Sequence, residues 1–105
     1  MYIKVEVIVP EDSVVGVVNA LNETDILNQG NYDYVFQTSR VRGHFRPIEG
    51  ANPTVGEIGV VSDVDEVKIE FRIRETDLER TDRLLRKIHP YEEPVINYIA
   101  LMTKS

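Results

Sequence analysis

The chain has no cysteine among its 105 residues, which excludes disulfides, zinc-thiolate sites, iron–sulfur clusters and thiol nucleophiles together. Positive charge is also scarce. Twelve Lys and Arg face eighteen Asp and Glu, a net charge of −6, whereas a nucleic-acid face needs clustered cations on a favourable background. No apolar run approaches the length of a membrane span, and alternating charges from residue 2 leave no room for a signal peptide, so a cytoplasmic setting is expected. Histidine is limited to His44 and His89, which restricts imidazole chemistry to two positions. At this length one domain over residues 1–105 is expected, large enough for an ordinary hydrophobic core.

What is present reads as alternating strand and helix. Tyr2 to Val9 sets Ile3, Val5, Val7 and Val9 against Lys4 and Glu6, the period of a half-buried strand. Pro10 then opens a helix to about Asn22, with Glu11 and Asp12 at the positive end of its dipole and Val14, Val17, Val18 and Leu21 at helical spacing. Asn22 to Asn31 is polar apart from Ile26 and Leu27. A second strand is expected from near Asp33 through Tyr34, Val35 and Phe36 to Thr38, with extension to Phe45 left open. Residues 46–62, RPIEGANPTVGEIGVVS, hold two prolines and three glycines without a sustained period; a loop of this length in a compact domain is usually functional or pinned.

Asp65 to Arg74 restores the clearest alternation, Val67, Ile69, Phe71 and Ile73 against Lys68, Glu70, Arg72 and Arg74. Thr76 with Glu79 forms a capping-box signature for a second helix, whose buried stripe is Leu78, Thr81, Leu85 and Ile88 with Leu84 beside them. Pro90 stops that helix at about His89 and Pro94 forbids its resumption. Val95 to Leu101, β-branched and aromatic, is the closing strand. The order β-α-β-β-α-β with right-handed crossovers predicts an α+β, ferredoxin-like sandwich: a four-stranded antiparallel sheet with two helices on one face.

The segments GNYDYVFQTS (30–39), GHFRPIEGANPTVGEIG (43–59), VDEVKIE (64–70) and HPYEEP (89–94) resemble, in order and spacing, the insert domain of the Nif-three family (NGG-one-interacting factor three), also called GTP cyclohydrolase I type 2 homologues. The HPYEEP turn before an apolar strand is also similar to CutA proteins, and the insert domain is structurally like CutA and the PII signalling proteins. The resemblance implies a trimer of ferredoxin-like subunits. It also implies that the dinuclear metal site of full-length members, which belongs to two flanking lobes, is not carried by this segment. The tryptophans and cysteine often seen in CutA are missing too, which puts a copper role in doubt.

Two constellations carry candidate chemistry. His89, Glu92 and Glu93 could hold a divalent metal, since imidazole and carboxylates suit Zn, Ni or Cu; the structural alternative is that His89 caps the last carbonyls of the helix while the glutamates line a turn. Arg40, Arg42, His44 and Arg46 fall at every second position, so an extended strand would present all four on one face, above a glycine-containing loop with free N–H groups. Arg42, His44 and Arg46, with Glu49, Gly50 and Asn52, form the candidate anion-binding set. The structural alternative pairs these arginines with Glu49, Glu57, Glu66 or Glu70, and Gly43 could bulge and break the stripe. No Gly-Lys-Ser/Thr ending marks a nucleotide loop, and no serine sits in a nucleophile-elbow context. The reading is a non-enzymatic homo-oligomeric module, a trimer by resemblance, that binds a small ligand or a partner protein through residues 43–59. A metal-binding protein and a small hydrolase of a phosphorylated substrate are the alternatives.

Overall fold

The computed structural model describes residues 1–104. Its elements are β1 (Tyr2–Pro10), α1 (Val14–Glu23), β2 (Gln37–Phe45), β3 (Ser62–Arg74), α2 (Leu78–Ile88) and β4 (Ile96–Leu101). All neighbouring strands are antiparallel, in the order β2-β3-β1-β4. This is the expected ferredoxin-like arrangement, with the two longest apolar alternations at its centre.

The alternation translates directly into two faces. Val5, Val7 and Val9 of β1 and Ile69, Phe71 and Ile73 of β3 are buried against Val17, Val18 and Leu21 of α1 and Leu85 of α2, with Ile96 and Tyr98 of β4 packed on the edge. Each such side chain stabilises the fold by about 1.5–3 kcal/mol when fully buried. Ile26 and Leu27, the two apolar residues of an otherwise polar connection, are buried as well and close the core beyond α1. The opposite face carries Tyr2, Lys4, Glu6, Lys68, Glu70 and Arg72 and is covered by neither helix. No helix is long and apolar enough to cross a membrane.

Several boundaries differ from expectation. Both helices are entered through a 3-10 turn, Glu11–Ser13 and Glu75–Asp77. Thr76 therefore sits inside a turn, Asp77 is the N-cap without a side-chain cap bond, and the Thr76/Glu79 capping box is not made. Strand β2 begins at Gln37, not near Asp33. Tyr34 has φ +50° and turns its polar groups to α1: its N–H donates to Asn22 Oδ1 (2.8 Å) and its hydroxyl to Asn19 Oδ1 (2.9 Å). Val35 N–H donates to the Leu27 carbonyl, so residues 33–36 fasten the helix instead of joining the sheet. Strand β4 starts one residue later than expected, at Ile96.

One feature of register positions the site. Strand β1 ends at the pair Pro10–Glu66, while β2 and β3 continue pairing to Phe45–Ser62. A two-stranded ribbon thus projects past the sheet, and the molecule measures 48 × 24 × 22 Å with a radius of gyration of 14.9 Å, against about 13 Å for a compact chain of 100 residues.

Candidate functional site

The 46–61 connection leaves from the tip of the ribbon, folds back toward the turn after α2 and is stitched in place. Gly59 N–H donates to the Pro47 carbonyl (2.7 Å) and Ala51 N–H to the Ile48 carbonyl (3.0 Å). The second bond closes a turn with Glu49 and Gly50 at its corners, and Gly50 takes the φ of +97° that such a corner needs. Two further bonds join the loop to the turn after α2: Asn52 N–H donates to Glu92 Oε1 (3.0 Å) and the Thr54 hydroxyl to the Pro90 carbonyl (2.9 Å). The loop is a defined wall.

Between this wall, the ribbon and the 89–95 turn lies a cleft of about 640 Å³, within the range of small-molecule sites. Ile8, Val41, Phe45, Pro47, Pro53 and Val95 supply its apolar lining, and Arg42, His44, Arg46, Glu66, Tyr91, Glu92 and Glu93 its polar one. Of the sequence-derived candidates, Arg42, His44, Arg46, Glu92 and Glu93 line the cleft, whereas Glu49, Gly50, Asn52 and His89 do not, and the charges are arranged differently from expectation.

Strand β2 runs without a bulge at Gly43, each residue from Gln37 to Phe45 having its partner on β3. Arg40, Arg42 and His44 do share a face. Their partners, however, are Glu11, Asp63 and Asp65, not the glutamates expected. Arg40 Nη2 lies 3.0 Å from Glu11 Oε1. Arg42 forks onto Asp63 through Nε (2.6 Å) and Nη2 (3.0 Å) and reaches Asp65 through Nη1 (3.1 Å). That fork holds the Asp63 carboxyl below its usual range and raises Arg42. His44 Nδ1 stands 3.7 Å from the same Asp63 carboxylate. Of the stripe, Arg46 alone makes no ion pair among the described residues.

The His89, Glu92, Glu93 set is not gathered as a ligand cage. His89 is buried, its Nε2 lies 2.6 Å from the Ile8 carbonyl and its Nδ1 accepts from Tyr91 N–H (3.1 Å). Those partners fix the neutral tautomer with hydrogen on Nε2 and leave no lone pair for a metal. Burial lowers the His89 pKa, outweighing the Ile8 carbonyl and Glu66, which raise it. Glu92 is engaged by the loop. Among the described residues no group of three His, Asp or Glu is placed to share a metal ion.

The residue not singled out from the sequence as a site is Glu66. It is 7% exposed, the Tyr91 hydroxyl is turned toward its carboxylate, and burial together with Glu66 pushes the Tyr91 pKa up to about 12. Tyr91 also lays its ring against His89, centroids 5.2 Å apart. The alternation in β3 assigns Glu66 to the polar face; only the register shows that Gly43 of β2 makes room for it.

No family model matches the chain. A GTP cyclohydrolase 1 type 2 homologue from Staphylococcus aureus is 42% identical over all 105 residues, which span 29% of that relative. The chain fits the insert domain of that family. A solved Bacillus cereus protein related to NIF3 superposes over 97% of the chain and 26% of its own length, with 29% identity and a TM-score of 0.82. CutA1 from Pyrococcus horikoshii, at 19% identity, covers 98% of the chain and 86% of its own with a TM-score of 0.74, a likeness of fold. The chain spans under a third of the length of these NIF3-type relatives.

Proposed function

We propose that this Nif-three-insert-like chain is a non-enzymatic, homo-oligomeric module of the PII and CutA kind, acting in the cytoplasm, which binds a small ligand or a partner segment in the cleft beneath the 46–61 loop. The observation that carries the reading is the double attachment of that loop to the 89–95 turn, which shapes a cavity of small-molecule size. A flexible surface loop would need no such fastening. Chemistry is disfavoured by the two histidines: His89 spends both ring nitrogens on backbone groups and His44 stands against Asp63, so neither is poised as a base beside a hydroxyl nucleophile. The charged side chains offered to a ligand in this reading are Arg46 on the loop and Arg42 and His44 at the ribbon, while Asn52 and the Glu49–Gly50 turn shape the loop rather than line the cleft. The guanosine-nucleotide chemistry named for the longer relatives is not assigned to this chain.

A thermal-shift screen of metabolites, nucleotides and metal salts on untagged protein tests the proposal, since a ligand of the native state raises Tm by mass action. A hit should be lost when the cleft is filled by Ile48→Trp. A hit that Ile48→Trp leaves intact would place binding elsewhere.

A further inference from the structure

Glu66 is buried as carboxylates seldom are without a cation or metal beside them. No Lys or Arg among the described residues forms an ion pair with it. Lys68, two residues along the same face, is spent on Glu70 (3.2 Å) and Glu6 (3.9 Å), Arg42 is held by Asp63 and Asp65, and the neighbouring His89 is fixed neutral by its two backbone partners. The Tyr91 hydroxyl is the one donor turned toward it, whereas an ionised carboxylate offers about four acceptor sites.

The fold makes room for this group deliberately. A Cβ at position 43 would collide with Glu66 Oε1 and lie 2.7 Å from its Cδ, so a residue without a side chain stands where the carboxylate rests. Around it the cleft is apolar, through Ile8, Val41, Phe45 and Val95, and the other carboxylates at its edge are Glu92 and Glu93. Of the cationic or titratable side chains in the same lining, Arg42 and His44 face Asp63, and Arg46 is the one without an ion pair among the described residues, against the three carboxylates of Glu66, Glu92 and Glu93. A bare divalent ion needs several oxygens at once, and these carboxylates are not gathered for it.

Resting on the cleft reading above, we propose that Glu66 is the recognition group of the site and that its ligand is an amphipathic organic cation, an amine or guanidinium on an apolar body. The ammonium or guanidinium N–H groups complete the acceptor sites that Tyr91 leaves free, and the apolar body lies on Val41 and Phe45. The sign of the ligand is thus opposite to the one the arginine stripe suggests.

Titration calorimetry and ligand-observed NMR on the whole chain, with hexylamine, phenethylamine and agmatine set against hexanoate, phenylpropionate and inorganic phosphate, decide it. The amines should bind, lose affinity by about tenfold or more in Glu66→Gln, and be excluded by Ile48→Trp. Gly43→Ala, which displaces the carboxylate without changing its charge, should act in the same direction as Glu66→Gln. Anions that bind, are excluded by Ile48→Trp and ignore Glu66→Gln would leave the cleft reading standing and overturn the cation. Binding by neither series overturns both. Zinc or nickel ions that bind in place of amines and are lost in Glu66→Gln would overturn the organic ligand. So would a Glu66→Gln protein that binds no probe but changes its mass in light scattering, which would make the carboxylate a subunit contact.

Discussion

His89 shows how a single residue can look functional and be structural. Its imidazole joins the end of α2 to the backbone of β1 through the Ile8 carbonyl and to the following turn through Tyr91 N–H. Because its folded pKa is lowered, the unfolded chain binds the proton more tightly; the stability this residue contributes is full above the unfolded value near 6.5 and is lost as pH falls toward the folded one. Asp63, held down by Arg42, and Glu70, held down by Lys68, are lowered carboxylates and keep their contributions through that window. Melting curves from about pH 7.5 to about pH 5.5 should therefore fall for the native chain and flatten in His89→Gln. An equal slope in both would remove His89 as the cause. Thr81 is the reverse case. It is fully buried in α2 and its hydroxyl has no hydrogen-bond partner, so Thr81→Val, similar in shape and equally β-branched, should stabilise by about 1 kcal/mol. That corresponds to a Tm gain of roughly 4–8 °C in a domain of this size, and a lower Tm would mean the hydroxyl is bonded after all.

At the scale of elements, legibility follows from where the partner of a residue lies. The sheet was readable because Val5, Val7 and Val9, or Val67, Ile69 and Phe71, report their own burial by alternation. The Tyr34-Val35-Phe36 run misleads for the same reason. It has β-forming side chains, yet its backbone groups are taken by Asn22 and Leu27, and nothing local announces that choice. The arginine stripe was visible as a stripe, but its neutralisation depends on the pairing of Arg42 with Asp65 across β2 and β3, a register that periodicity alone does not set. Glu66 was hidden by it as well. The 46–61 loop was recognisable as unusual from length and glycine content, while its attachment to residues 89–95 is a long-range fact. Removing that attachment with Thr54→Ala and Glu92→Ala should accelerate amide exchange between residues 48 and 58 with little change in Tm, because the bonds released are exposed and far from the core. A large fall in Tm would instead make the loop part of the cooperative unit.

The whole molecule leaves surface that a lone subunit does not explain. Tyr34, Val35 and Phe36 lie outside β2, whose outer face begins with Gln37 and Ser39, so the apolar surface to be covered is on β4. On β4, Ile99 is 41% exposed and the preceding Val95 53%, beside a β4 edge that pairs with β1 alone. The centre of the open face is not a repulsive patch. Lys4 lies 3.1 Å from Glu6 and 3.3 Å from Glu70, and Lys68 bridges the same two glutamates, so these four charges balance and can be brought against another subunit without an unpaired ion. The projecting ribbon and the exposed Ile58, Val60 and Val61 add apolar surface at the far end, of the sort that marks an interface. Closed rotational symmetry would protect the β2 and β4 edges from open-ended pairing, and three copies is the proposed assembly. Size exclusion with light scattering at micromolar concentration should give three times the chain mass of 12.0 kDa, and Ile99→Lys should shift the population toward the single chain. A native mass near 12.0 kDa would sink the oligomer, and a stable dimer would sink the three-fold arrangement while leaving the need to cover β4 in place.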